Sequence, residues 1–251
     1  TIYVGLQLIL PGEVAPAHRH TPTAVRFVIE GEGGYTTVNG EKCPMHKGDL
    51  ILTPALNWHE HGHEGSGPVI WMDALDLPMI YAMEASYAIE GPSQPVRPEA
   101  DASQNKYRRA GLLPYASLGR AQRADYPQIR YPWVDVRQAL AALATVTPKD
   151  EAVQLAYVNP ETGRPCLPTL GFSAMQLRAG QDLALRKRSA SGVIHVIEGR
   201  GESEIDGVTL QWTEGDTLTI PTHAQVRHRA MGNDAYLFHV DDAPMQRALG
   251  F

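Results

Sequence analysis

The chain has 251 residues, enough for one large domain or two ordinary ones with a sizeable core. With 28 acidic against 22 basic residues it carries a net charge of -6, and Arg186-Lys187-Arg188 is too short a basic run to make a nucleic-acid surface. No apolar stretch approaches the roughly 20 residues of a membrane span, and no signal peptide is visible. Cys43 and Cys166 lie far apart and give neither a disulfide framework nor a zinc pattern, so a reducing, cytoplasmic setting is expected.

The chain enters an apolar strand almost at Thr1, without an initiating Met, which predicts a preceding segment. Residues 3–10 read as a strand ended by the turn pair Pro11-Gly12. Ala24 to Ile29, rich in β-branched and aromatic residues, is a second. Asn39-Gly40 signals a type I′ hairpin after Tyr35–Val38. Leu50–Thr53 and Val69–Leu75 follow, each introduced by glycine or proline. Short strands at this spacing predict an all-β barrel or sandwich.

Residues 84 to 132 differ: Pro92, Pro95, Pro98, Pro114, Pro127 and Pro132 interrupt a polar stretch of little periodicity. It reads as a linker wrapping a surface. Residues 133–145 place Val136, Leu140, Leu143 and Ala144 at helical spacing, a packing helix. Beyond it the first part of the chain repeats. Ile29-Glu30-Gly31-Glu32-Gly33 recurs as Ile197-Glu198-Gly199-Arg200-Gly201, displaced by 168. Asn39-Gly40 and Gly48-Asp49…Pro54 recur as Asp206-Gly207 and Gly215-Asp216…Pro221, displaced by 167. The chain is therefore two copies of one β-barrel, 1–83 and 166–251, joined by a linker, 84–165, that contains the helix.

Six of the ten histidines fall between His18 and His63. His18 and His20 are one residue apart, so on a strand both imidazoles face one side. A third histidine from another strand would complete one face of a metal's coordination sphere, and imidazole suits Zn, Cu, Fe and Ni.

Gly12, five residues, His18, one residue, His20 and then Gly31, followed by Gly48, five residues, Pro54 and His59, resembles the two motifs of the cupin family; duplicated, it resembles a bicupin. Leu10-Pro11-Gly12-Glu13, His18-Arg19-His20, Arg26 to Gly33 and Trp58-His59-Glu60-His61-Gly62 resemble, more narrowly, the gentisate 1,2-dioxygenases, a branch shared with salicylate and 1-hydroxy-2-naphthoate dioxygenases. The resemblance implies two double-stranded β-helix (jelly-roll) barrels, Fe(II), a small aromatic carboxylate and O2 as substrates, a homotetramer, and a longer N-terminus.

The ligand set it implies is His18, His20 and His59. Cupin sites commonly add a glutamate where this chain has Ala24, so three neutral imidazoles remain and no carboxylate. A divalent ion held this way keeps its full charge and open positions, which favours an anionic bidentate substrate such as an ortho-hydroxy carboxylate. Iron rests on the resemblance; the ligand set alone also accepts Ni, Mn or Zn.

His61, two residues after His59, faces the same way if the strand continues, where its near-neutral pKa suits proton transfer. Asp73, inside an apolar strand, needs a partner, and His61 is the expected one; the alternatives are an exposed His61 and an Asp73 at a strand end. Arg26, in an apolar run, either grips a substrate carboxylate bidentately or forms a structural ion pair. Gln7 is expected to point inward toward a ring substituent, and Tyr3 to line the pocket. His46 and His63 read as solvated loop histidines.

In the second copy Arg186-Lys187-Arg188 replaces the histidine pair and Val226 stands in place of His59. Its expected role is structural, with an anion pocket using Arg186 or Arg188 as the alternative. For the whole chain the expected activity is ring cleavage of gentisate to maleylpyruvate. The alternatives are the same chemistry on salicylate or 1-hydroxy-2-naphthoate, or a non-catalytic cupin that senses carboxylates.

Overall fold

A computed structural model describes residues 1–118 and 124–251 and divides them into two units, Thr1–Trp133 with Val158–Leu167, and Val134–Tyr157 with Pro168–Phe251. The part of the expected linker at 119–123 lies outside the described residues.

The first unit opens with β1 (Tyr3–Ile9), β2 (Val14–His20), β3 (Ala24–Glu30), β4 (Gly34–Val38) and β5 (Glu41–Pro44). It continues with β6 (Leu50–Thr53), β7 (His59–His63), β8 (Val69–Leu75), β9 (Ala88–Glu90) and β10 (Arg130–Tyr131). These form two antiparallel sheets, ordered β1-β8-β3-β6-β10 and β5-β4-β7-β2-β9. Val28, Ile51, Val69 and Trp71 of the first sheet share one buried cluster with Val38 and Cys43 of the second. The sheets are therefore the two walls of a barrel. The hairpin joining β4 to β5 turns at Asn39 (φ 47°) and Gly40 (φ 84°), the pair of positive dihedrals that a type I′ turn demands.

Residues 84–132 are more than a wrapping linker. β9 adds to the free edge of β2, pairing Glu90 with His18 and Ala88 with His20. β10 extends the other sheet at β6. Arg130 ties this segment down, donating to Asp49 at 2.8 Å and to Asp101 at 2.6 Å. Strands of two and three residues leave no periodic signature, so the sequence pattern could not announce them. Two short helices, α1 (Leu77–Ala82) and α2 (Ala102–Lys106), were likewise not foreseen. The expected helix is α3 (Trp133–Ala144), with Leu140 fully buried.

In the second unit β11 (Val153–Ala156), β12 (Gly171–Leu177), β14 (Gly192–Glu198), β17 (Thr217–Ile220) and β19 (Ala235–Asp241) make a sheet ordered β11-β12-β19-β14-β17. β13 (Asp182–Ala184), β15 (Arg200–Ile205), β16 (Val208–Thr213) and β18 (Val226–Ala230) make the other, ordered β13-β18-β15-β16. A last helix, α4 (Ala243–Ala248), closes the chain. Asp206 (φ 48°) and Gly207 (φ 82°) reproduce the Asn39-Gly40 turn within a degree or two.

This barrel buries two histidines that carry no charge. Burial pushes His228 down to about 4 and, with help from His228 and Arg188, His239 down to about 3. In an unfolded chain each titrates near about 6.5. Between those limits the unfolded state binds more protons, so stability falls as pH falls, by up to about 1.4 kcal/mol per pH unit for each ring. Urea midpoints are expected to drop from pH 7 toward about pH 5, and less steeply in His239→Phe; equal slopes for the two proteins would contradict this.

Candidate metal centre and its cavity

β2 reaches its neighbour β7 through an irregular ladder, in which Ala15 pairs with His61 and His18 with His59. Three steps along β2 match two along β7, so β2 carries one extra residue, a β-bulge. In an unbroken strand, positions 15 and 18 would face opposite sides. The bulge restores His18 to the face of Ala15, directly opposite His59, and alternation brings His20 to the same face.

The result is a cluster. One ring nitrogen from each of His18, His20 and His59 lies within 4.8 Å of the others. The His18 and His59 ring centroids are 4.3 Å apart, and those of His20 and His59 4.9 Å. The tautomers are set by the backbone. Nδ1 of His18 meets the Pro16 carbonyl at 2.8 Å, Nδ1 of His20 the Pro22 carbonyl at 2.8 Å, and Nδ1 of His59 the Asn57 carbonyl at 3.0 Å. A carbonyl only accepts, so each Nδ1 carries the hydrogen and each Nε2 keeps its lone pair, the arrangement of a ligating imidazole. Burial drives His59 down to about 2 and lowers His20, with the cationic Arg26 acting in the same direction on both. Nε2 of His59 is buried and has no hydrogen-bond partner among the described residues. A lone pair buried without a donor fits a metal ion, and an all-nitrogen set fits a borderline ion such as Fe(II).

Beside the cluster lies a cavity of about 410 Å³, lined by His18, His20, His61, Arg26, Asp73 and Trp71 among others. That is the size range of sites for small organic molecules. Arg26 and Asp73 face each other across the β3–β8 ladder, so the sheet register itself makes the pair. Nε of Arg26 stands 3.5 Å from Asp73 Oδ1, an ion-pair distance without hydrogen-bond geometry. Nη1 donates to Thr53 Oγ1 at 3.0 Å. Arg26 is therefore ion-paired to Asp73 and also lines the cavity. Burial lowers its pKa while Asp73 opposes the shift. Asp73 is itself raised by burial, against the pull of Arg26 and of the Trp71 indole that donates to Oδ1 at 3.0 Å.

Asp73 does not pair with His61. Among the described residues His61 Nδ1 meets the Thr36 hydroxyl at 3.0 Å, because Thr36 is its cross-strand neighbour in β4. The His61 ring sits 5.6 Å from Trp71 and lies at the cavity wall, and burial, then Arg26, keep it well below its ordinary pKa. Gln7 lines the cavity although its residue is exposed on the edge strand β1. Tyr3 does not line it. Its ring lies over Gly5, where a Cβ would stand 3.0 Å from the phenol oxygen.

His63 is not a solvated loop residue. It is buried in β7, with Nε2 at 2.6 Å from the Gly67 carbonyl and Nδ1 accepting from the Gly65 amide. His46 is the exposed one, held beside Asp49 and Arg130. Trp71 and Thr36 were missed by the sequence reading. Trp71 had a signal, since it sits two residues from Asp73 on the same strand face. Thr36 had one in the repeat, where Ser203 occupies its place.

Residues 5–75 match the cupin domain family. A gentisate 1,2-dioxygenase of Ralstonia sp is 50% identical over 99% of this chain and 70% of its own length. A 5-aminosalicylate 1,2-dioxygenase of Comamonas sp is 39% identical over the whole chain and 67% of its own length. Among solved structures, a salicylate 1,2-dioxygenase from Pseudaminobacter salicylatoxidans superposes with a TM-score of 0.92 at 33% identity, covering 100% of this chain and 73% of that one. No described helix is long and apolar enough to cross a membrane. The two-barrel fold, the histidine cluster in the first barrel and these likenesses converge: the chain belongs to the gentisate 1,2-dioxygenase family of bicupin ring-cleaving dioxygenases.

Proposed function

We propose that the chain cleaves gentisate with O2 to maleylpyruvate, using Fe(II) held by His18, His20 and His59. The observation that carries this reading is the charge of the site. Three neutral imidazoles supply no anion, and the buried carboxylate of the cavity wall, Asp73, is already matched by Arg26. The negative charge is therefore left for the substrate to bring, as a carboxylate with an ortho hydroxyl does. Bound Fe(II) supplies the activation of dioxygen that a closed-shell organic side chain cannot.

The remaining work belongs to the protein. Arg26 has guanidinium N–H groups beyond the one on Thr53, and these bind the substrate carboxylate. Asp73 and Trp71 hold that guanidinium in place from the neighbouring strand. His61, fixed by Thr36, presents Nε2 without a partner among the described residues, and this nitrogen takes or returns the ring hydroxyl proton. Gln7 reaches the ring's remaining substituent. The ring opens between the carbons bearing carboxylate and hydroxyl, and both atoms of O2 enter the open-chain product, so the equation balances without another oxidant. The protein works in the cytoplasm as a homo-oligomer.

Loading with Fe(II) under anaerobic conditions, removal of excess metal, and addition of gentisate and air are expected to give one O2 consumed per gentisate and an enolate-type absorbance. The same assay with salicylate and 1-hydroxy-2-naphthoate decides the substrate. Faster uptake with either would reassign it, and gentisate binding without uptake would mark a sensor instead.

A further inference from the structure

Thr53 is fully buried at the end of β6, and its neighbours fix both of its hydrogen-bonding roles. A carbonyl can only accept, so the Thr53 hydroxyl donates to the Ala24 carbonyl at 3.0 Å. A guanidinium can only donate, so the same oxygen accepts from Nη1 of Arg26 at 3.0 Å. Neither bond can reverse. Sheet register makes the contact: Ala24 pairs with Thr53 and Arg26 with Ile51, so Arg26 and Thr53 are diagonal neighbours on one face of β3 and β6.

Among the described residues this is the one hydrogen bond that the Arg26 side chain makes. Its ion pair with Asp73, 3.5 Å long, lacks hydrogen-bond geometry and leaves Nε without a partner. Coulomb attraction depends on distance and a hydrogen bond depends on angle as well, so Asp73 supplies the countercharge and Thr53 the direction. Held at Nη1, the guanidinium keeps both Nη2 hydrogens for the cavity that Arg26 lines. Thr53 does not itself line that cavity. The second barrel shows that the fold does not need the hydroxyl. There Gly192 pairs with Ile220 and Ile194 with Leu218, so Ile194 stands in the place of Arg26 and Ile220 in that of Thr53. Where the metal ligands are gone, the arginine and the threonine are gone together, and the same strand pair forms with two isoleucines.

We propose that Thr53 is a positioning residue that aims the Arg26 guanidinium at the substrate carboxylate and so sets the preference of the site for ligands that carry one. Its role rests on Arg26 as the carboxylate's partner. Thr53 acts through Arg26 and touches neither the metal ligands nor the substrate.

Equilibrium dialysis of the iron-loaded protein under nitrogen, where nothing turns over, tests this with two probes: gentisate, and catechol, which chelates through two hydroxyls and has no carboxylate. Thr53→Val has the same shape without the oxygen. It is expected to bind gentisate about 5- to 20-fold more weakly, because the charge stays and the aim is lost. Catechol affinity and iron content are expected to be unchanged. Thr53→Ala, which fits the same space, repeats the contrast without the added methyl, and Thr53→Ser, which keeps the oxygen, is expected to bind gentisate as the wild type does. Equal weakening for both probes would make Thr53 a structural residue and overturn the proposal. A serine variant as weak as the valine one would do so too. Arg26→Met tells the two failures apart. Gentisate affinity that survives in Arg26→Met removes the carboxylate contact and the role of Thr53 with it; affinity lost there but kept in Thr53→Val removes only the role of Thr53.

Discussion

On the proposed ligand set, His59→Ala is expected to strip iron from the protein and abolish oxygen uptake. Losing the hydrogen bond that merely orients a metal-bound histidine costs about 10- to 100-fold in metal affinity or activity. Losing the ligand itself removes one of three donor atoms, so a deficit beyond about 100-fold is expected. The position is sensitive for a structural reason as well. His59 is 1% exposed, directly opposite His18, with its ring oriented by the Asn57 carbonyl. Alanine leaves His18 and His20 as a bidentate pair that holds a divalent ion weakly. Iron content after desalting, read beside circular dichroism to show that the barrel persists, measures the effect. His46→Gln is the control, because that side chain is 56% exposed and belongs to the Asp49–Arg130 network. A His59→Ala protein that kept its iron would refute the ligand assignment.

Arg26→Met separates two roles of one side chain. Asp73 then stays buried without its countercharge, and breaking one side of a buried ion pair costs about 3–5 kcal/mol. The sign of the pH dependence follows. Arg26 is the main influence holding Asp73 down against burial, so its removal raises the folded-state pKa further. A carboxyl raised above its unfolded value is protonated in the folded protein, so the variant loses stability as pH rises above the unfolded value and recovers it in acid. Catalysis responds differently. On the proposed role, the substrate carboxylate loses a charge-assisted contact worth about 1.5–3 kcal/mol, and kcat/KM is expected to fall by about 10- to 160-fold. In the double variant Arg26→Met/Asp73→Leu the stranded charge is gone, so stability returns while kcat/KM does not. Recovery of both would reduce Arg26 to a structural residue.

Much of this site could be read along the chain because its elements are local. The one-residue gap between His18 and His20, the Asn39-Gly40 turn and the repeated Gly-Asp…Pro run each express a backbone requirement within a few residues. What escaped depends on which strand lies beside which. Nothing near His61 in sequence names Thr36, and nothing near Asp73 names Arg26; both pairs arise from register between strands distant in the chain. The need of a buried carboxylate for a partner suggested His61 for Asp73, and sheet order gave that carboxylate to Arg26 and Trp71 instead. Burial misled in the same way. His63 resembled a loop residue in a glycine-rich stretch, yet β7 runs through it. β9, in a stretch punctuated by prolines, forms the outer edge of the sheet that bears the histidines.

The extra residue in β2 also decides how this stretch of chain can change length. Paired regularly from Ala15 at its present length, the strand would set Ala17 opposite His59 and turn Arg19 inward in place of both imidazoles. A single deletion between Ala15 and His18 would instead take up the extra residue and leave His18 opposite His59. The loss of one residue is therefore tolerable there as well as at the Pro11-Gly12 turn, where Gly12 has φ 80° and a Cβ would touch nothing within 4 Å. What cannot change without moving the imidazoles is the odd step itself, taken either by the bulge or by a shorter strand.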